Sequence, residues 1–112
     1  MTLHEEKIGQ VLILGLSGDI DLAGAKLFRD RVIQVLDRAE KNLLIDLAAV
    51  TYINSTGLSV LILAAKRMGT DSGRLVLAGV TESIQRVLKI AGLNTLFTTL
   101  PTRADALASL GQ

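Results

Sequence analysis

Hydrophobic residues fall in short solid blocks, separated by stretches in which they recur every three or four positions. Val11-Leu-Ile-Leu-Gly-Leu16 is a nearly continuous apolar run, as expected of a strand buried on both faces. The polar segment from Thr2 to Lys7 is an edge-strand candidate that Ile8-Gly9-Gln10 turns back, and Ser17-Gly18-Asp19 should end the run that follows. From Ala23 to Glu40 the period becomes helical, with Ala25, Phe28, Val32, Val35, Leu36 and Ala39 on one face. Leu43-Leu-Ile-Asp-Leu47 predicts a second buried strand, and Ala48 to Ile53 a connecting segment. Leu58 to Met68 predicts a helix, with Asn54, Ser55 and Thr56 suited to its start. Leu75 to Ala78 predicts a third buried strand. Ile84, Val87, Leu88 and Ala91 mark a helix that Gly92 ends, Phe97 to Leu100 is a short strand, and Thr102 to Leu110 is a helix behind Pro101.

The predicted order is ββαβαβαβα. Alternating strands and helices imply parallel crossovers, so the expected fold class is α/β: a mixed, mostly parallel sheet of about five strands with about four helices, its first two strands an antiparallel hairpin at one side. In such a sheet the loops after the parallel strands emerge on one edge, where ligands usually bind. Three should meet there: Ser17 to Leu22, Ala48 to Gly57 and Gly79 to Glu82. The middle one carries no charge from Ala48 onward and feeds Asn54-Ser55-Thr56-Gly57 into a helix. Free N–H groups and the partial positive charge of a helix start would accommodate a phosphate there. Simple capping accounts for the same four residues, and spacing alone does not separate the two readings.

The chain has 112 residues, and they are expected to form one domain, 1–112. Lys and Arg number 12 against 11 Asp and Glu, and this balance gives no footing for nucleic-acid or anionic-membrane binding. The longest uncharged run, Leu47 to Ala65, is interrupted by Thr51, Asn54, Ser55, Thr56 and Ser59, which argues against a spanning helix. Met1 to Lys7 lacks the layout of a secretory signal. With no cysteine there is no disulfide, thiol nucleophile or thiolate-bound metal, and a reducing, cytoplasmic setting is expected. Enzymatic readings find little. Ile53-Asn54-Ser55-Thr56-Gly57 lacks the first glycine of a nucleophile elbow, the lone histidine His4 is distant, and no phosphate-binding G-x-x-x-x-G-K-[ST] loop occurs. Asp19, Asp21 and Asp46 are better read as loop acids and a strand-end aspartate than as metal ligands. No catalytic residue, metal or cofactor is expected.

Residues 43–63, Leu-Leu-Ile-Asp-Leu-Ala-Ala-Val-Thr-Tyr-Ile-Asn-Ser-Thr-Gly-Leu-Ser-Val-Leu-Ile-Leu, resemble the signature of STAS domains, specifically bacterial anti-sigma factor antagonists: an apolar strand, D-L, a loop ending in D-S-[ST]-G-L, and an apolar helix. Gly18-Asp-Ile-Asp-Leu-Ala23 is similar to that family's G-E-L-D segment, and Leu75–Gly79 and Val87–Leu93 to its later strand and helix. The resemblance spans almost the whole chain. It implies a STAS-like fold and a phosphorylation switch at Ser55, with Asn54, Thr56, Gly57 and Asp21 around the acceptor. The unphosphorylated chain would bind an anti-sigma factor that is also a serine kinase, releasing the sigma factor, and a serine phosphatase would reset it. The family's aspartate falls on Asn54, which can cap a helix but carries no charge. Around the following helix Leu58, Leu61, Ile62, Ala65 and Met68 form one face, while Ser59, Val60, Leu63 and Arg67 lie on the other. Ser59, Val60 and Leu63, beside Ser55, are the expected partner-binding residues, with lateral burial as the alternative for Val60 and Leu63. A second functional class is a STAS scaffold that regulates a transporter or signalling complex without a sigma cascade.

Overall fold

The computed structural model describes all residues from Met1 to Gln112. Five strands and four helices follow the predicted order: β1 (Thr2–Ile8), β2 (Val11–Ile20), α1 (Leu22–Asp37), β3 (Asn42–Ile53), α2 (Ser55–Thr70), β4 (Arg74–Ala78), α3 (Glu82–Ile90), β5 (Thr98–Leu100) and α4 (Arg103–Ser109). The strands lie in sequence order in one sheet. β1 pairs antiparallel with β2 across the Gly9 turn, and every other pairing is parallel. No helix is long and apolar enough to cross a membrane.

The sheet divides the core in two. On the face covered by α1, α2 and α3, 23 buried residues pack together, with Phe28 their largest side chain. On the other face Ala106 of α4 and Leu110 at its C-cap complete a cluster of seven buried residues. Strands β2 to β4 must bury both faces, which is why they read as solid apolar blocks. α1 stops earlier than its periodicity suggests, at Asp37, and Ala39 turns the chain in a left-handed conformation with φ 55°.

Two expected boundaries are corrected. Ser17-Gly18-Asp19 does not end β2, and Ala48 to Ile53 is not a connection: both continue as strand, paired with each other beyond the point where β4 stops opposite Asp46. The pairing runs Gly15↔Asp46, Ser17↔Ala49, Gly18↔Val50 and Asp19↔Tyr52, so β3 holds one extra residue at two places. Each bulge turns the strand. Leu47, Val50 and Ile53 consequently all reach the helix-covered core, at intervals of three where a regular strand has two. The alternation that announces a strand is erased, and L-A-A-V-T-Y-I looks irregular.

Charged side chains tie the edge hairpin to both layers. On the helix-covered face Glu5 receives Arg38, the C-cap of α1, at 2.6 Å and Arg31, within α1, at 3.2 Å. On the other face Arg103, at the start of α4, bonds Glu6 of β1 and Asp46 of β3. The hydrogen bond from Arg38 holds the Glu5 carboxyl below the ordinary glutamate range against some desolvation, and the charges of Arg38 and Arg31 add to this. A carboxylate with a lowered folded-state pKa stabilises the fold at pH values above its unfolded pKa, and this stabilisation fades as pH falls through the folded value. Glu5→Gln should therefore cost roughly 1 kcal/mol at neutral pH, the scale of two partly exposed ion pairs. Urea unfolding should show the deficit shrinking below about pH 4; an equal deficit at pH 3 and pH 7 would contradict the assignment.

Candidate functional site

The extended β2–β3 pair ends abruptly. Ile20 is followed by one residue, Asp21, and then α1; Ile53 is followed by one residue, Asn54, and then α2. Because Ile20 and Ile53 are register partners and the Asn54 N–H donates to the Ile20 carbonyl at 3.0 Å, two helix starts lie side by side. They are built alike. Asp21 accepts from the Gly24 N–H at 2.9 Å, and Asn54 accepts from the Gly57 N–H at 2.8 Å. Each short polar side chain satisfies one of the orphan donors of its first turn.

The glycine of the second cap has a packing role. A Cβ on Gly57 would stand 2.8 Å from both Ile20 and Ile53 side-chain carbons, so α2 rests on the strand ends with no room for a methyl group. This close approach sets the height of the helix start above the sheet. Ser55 and Thr56, the first two residues of the helix, are exposed, Asn54 is half-buried and Gly57 buried. The N–H groups of Ser55 and Thr56 precede the first intrahelical donor, Leu58, which bonds the Asn54 carbonyl at 3.0 Å. The Ser59 hydroxyl donates to the Ser55 carbonyl at 3.0 Å, and so is turned back onto its own helix.

The structure thus gathers Asp21, Asn54, Ser55, Thr56 and Gly57 at one corner. It does not gather the three aspartates. Asp19 accepts from the Thr51 hydroxyl at 2.5 Å, and Asp21 caps α1. Asp46 lies toward α4, spanning the β3 bulge to the Ala48 N–H and meeting Arg103. No group of three or more His, Asp or Glu side chains is placed to hold a metal ion.

Val60 requires a correction. It is 1% exposed and belongs to the core, so it has no surface to offer a partner. The buried stripe of α2 is Gly57, Val60, Leu61, Ala64 and Met68, rotated from the expected Leu58, Leu61, Ile62, Ala65 and Met68. Val60 lies seven residues before Arg67, on the flank where Arg67 reaches Asp37 of α1, and packs within the helix-covered core. Leu63, on the same flank, is half-buried, as are Leu58, Ile62 and Ala65; Ser59 is exposed. Two exposed apolar side chains beside the corner escaped the sequence reading: Leu22 at 80% and Tyr52 at 53% exposure. Leu22 could have been found from the helical period, which sets it off the face of Phe28, Val32 and Val35. Tyr52 could not, because its outward direction depends on the bulges.

Comparison with known proteins agrees with this architecture. The family model of the STAS domain matches residues 3–106. The chain is 31% identical over 109 residues to BtrV of Bordetella bronchiseptica, provisionally named an anti-sigma factor antagonist, covering 97% of this chain and 94% of that protein. The crystal structure of an anti-sigma factor antagonist from Mycobacterium paratuberculosis superposes with a TM-score of 0.89 at 27% identity, over 99% of this chain and 94% of that one. A sulfate transporter family protein from Wolinella succinogenes shares the fold, with a TM-score of 0.75 at 24% identity over 89% of this chain and 84% of that one. The chain belongs to the STAS domain family.

The Gly57 contact has a measurable consequence. Gly57→Ala should destabilise the fold by about 1–3 kcal/mol despite the better helix propensity of alanine, because two buried isoleucines must move. Denaturant unfolding checks this; a stabilised Ala variant would show that the helix start can lift off the sheet without cost.

Proposed function

We propose that residues 1–112 act as a single STAS domain that serves as an anti-sigma factor antagonist, a protein-binding module without catalytic residues of its own, switched by phosphorylation of Ser55. The observation that carries the reading is an exposed serine at the first position of α2, held between the Asn54 cap and the buried Gly57, in a family member whose relatives include proteins named as anti-sigma factor antagonists. Its partners would be an anti-sigma factor with serine kinase activity and a serine phosphatase, met in the cytoplasm. Unphosphorylated, the corner formed by Ser55, Ser59, the half-buried Leu63 and the exposed Leu22 would dock on the anti-sigma factor and free the sigma factor. The transporter-linked reading has a shared fold behind it and no residue-level observation, so it ranks second.

Incubation with ATP and candidate serine kinases, followed by mass spectrometric mapping, tests the acceptor. Phosphate should appear on Ser55 and not principally on Thr56; modification mainly of Thr56, or of neither, overturns the assignment.

The switch should act on binding and leave the fold alone. Phosphate adds about −1.5 to −2 charges at neutral pH, at a helix start whose dipole and free N–H groups favour an anion. A docked partner has to desolvate that charge, and an unpaired buried charge is costly. Affinity for the anti-sigma factor should fall at least about thirtyfold on phosphorylation, roughly 2 kcal/mol, while the melting temperature stays within about 2 °C. Ser55→Asp should weaken binding less, and Ser55→Ala should retain it. Titration calorimetry and thermal melts of the four forms decide; a phosphorylated form that binds like the parent, or fails to bind only because it unfolds, defeats the mechanism.

A further inference from the structure

The side chain of Asn54 has two arms, and the cap uses one. Its Oδ1 is engaged with the Gly57 N–H at 2.8 Å, which assigns the amide orientation. Nδ2 therefore points away from the helix interior, with two N–H donors that no group of the chain accepts. Asn54 is half-buried, with extended backbone at φ −86° and ψ 177°, so its amide is anchored while the chain turns directly into Ser55. Around this point the strand-end segments 17–23, 47–58 and 78–84 contain no Lys, Arg or His, and the carboxylate at the corner itself is Asp21, since Asp19 is bonded to Thr51 and Glu82 to Arg86. An anion on Ser55 would thus find no basic side chain in these segments and would have the Asp21 carboxylate at the adjoining cap. Besides the backbone N–H groups of Ser55 and Thr56 and the Thr56 hydroxyl, the side-chain donor held at this point is the Asn54 amide.

We infer that Asn54 is the positioning residue for the phosphorylated state: its Nδ2 donates a hydrogen bond to the phosphate on Ser55 and fixes it over the first turn of α2. This rests on Ser55 as the phosphoacceptor. A hydrogen bond to the charged form favours that form, so the phosphate should lose its second proton more readily with Asn54 than without it. Asparagine at this position holds the dianion without the like charge that a second carboxylate would add next to Asp21.

The test installs phosphoserine at position 55 during translation of the full chain, so no kinase is required. Three residues compatible with the cap are compared at position 54: the native Asn, Asn54→Ser and Asn54→Asp. Serine keeps the cap and neutrality but has no amide, and aspartate keeps the cap and adds a charge. Melting curves of the unphosphorylated chains establish that all three fold. The phosphate second pKa, normally about 6, is followed by phosphorus NMR. It should rise from Asn54 to Asn54→Ser by about 0.3 unit, and further to Asn54→Asp by about 0.5 unit more. Phosphorylation of the parent should also shift one Asn54 side-chain amide proton downfield. Native and Asn54→Ser chains that titrate together, or an Asn54 amide resonance that phosphorylation leaves in place, overturn the inference. A chain that no kinase modifies can pass this test, and a chain modified at Ser55 can fail it, so the two readings stand or fall separately.

Discussion

Everything at the candidate site depends on one pairing: β2 and β3 stay hydrogen-bonded to each other after β4 has stopped. That two-strand extension carries Ile20 and Ile53 beyond the rest of the sheet and delivers two single-residue connections at the same height. Asp21 and Asn54 then cap their helices in parallel, and Gly57 allows the second helix to rest directly on the isoleucines. Shortening either strand would separate the helix starts. Placing a side chain at 57 would push one of them away. The corner is therefore set by backbone pairing and core packing, and the polar side chains are presented by them.

The rigid support comes from an aliphatic interior of unequal halves. Three helices cover the larger cluster on one face, while the seven-residue α4 covers the smaller cluster on the other. α4 is too short to be helical alone. It is held by Ala106 and Leu110 in the core and by Arg103, which ties it to β1 and β3. The terminal elements are thus joined through charged groups, away from the end of the sheet where Ser55 lies. Ser55 lies at the other end, between the Asn54 cap and the Asp21 cap of the adjoining helix.

Much of this was legible in the sequence because burial on both faces leaves an unmistakable mark. The apolar blocks of β2, β3 and β4, the helical periodicity of α1 and the cap residues before α2 each report a local preference that the global fold also satisfies. The corner Asn54-Ser55-Thr56-Gly57 was visible for the same reason: short polar residues at a helix start stand out between an apolar strand and an apolar helix. Its closeness to Asp21 followed from parallel topology. The far halves of β2 and β3 were not legible. Two bulges convert alternation into intervals of three, and a bulge is a property of the pairing, not of either strand alone.

Val60 marks the limit most clearly. Between residues 57 and 65 α2 is apolar almost all round, so several rotations about its axis bury a comparable hydrophobic set. The sequence by itself determined that a helix follows Asn54-Ser55-Thr56, with one of these short polar residues at its start, and that strands and helices alternate in one mixed sheet, because these follow from local hydrogen-bonding chemistry and periodicity. Only the tertiary structure decided which flank of α2 lies under α1, which way Tyr52 points, and how closely Gly57 meets Ile20 and Ile53. Those outcomes depend on distances between elements far apart in the chain, and close packing selects among rotations that the hydrophobic pattern leaves nearly equal.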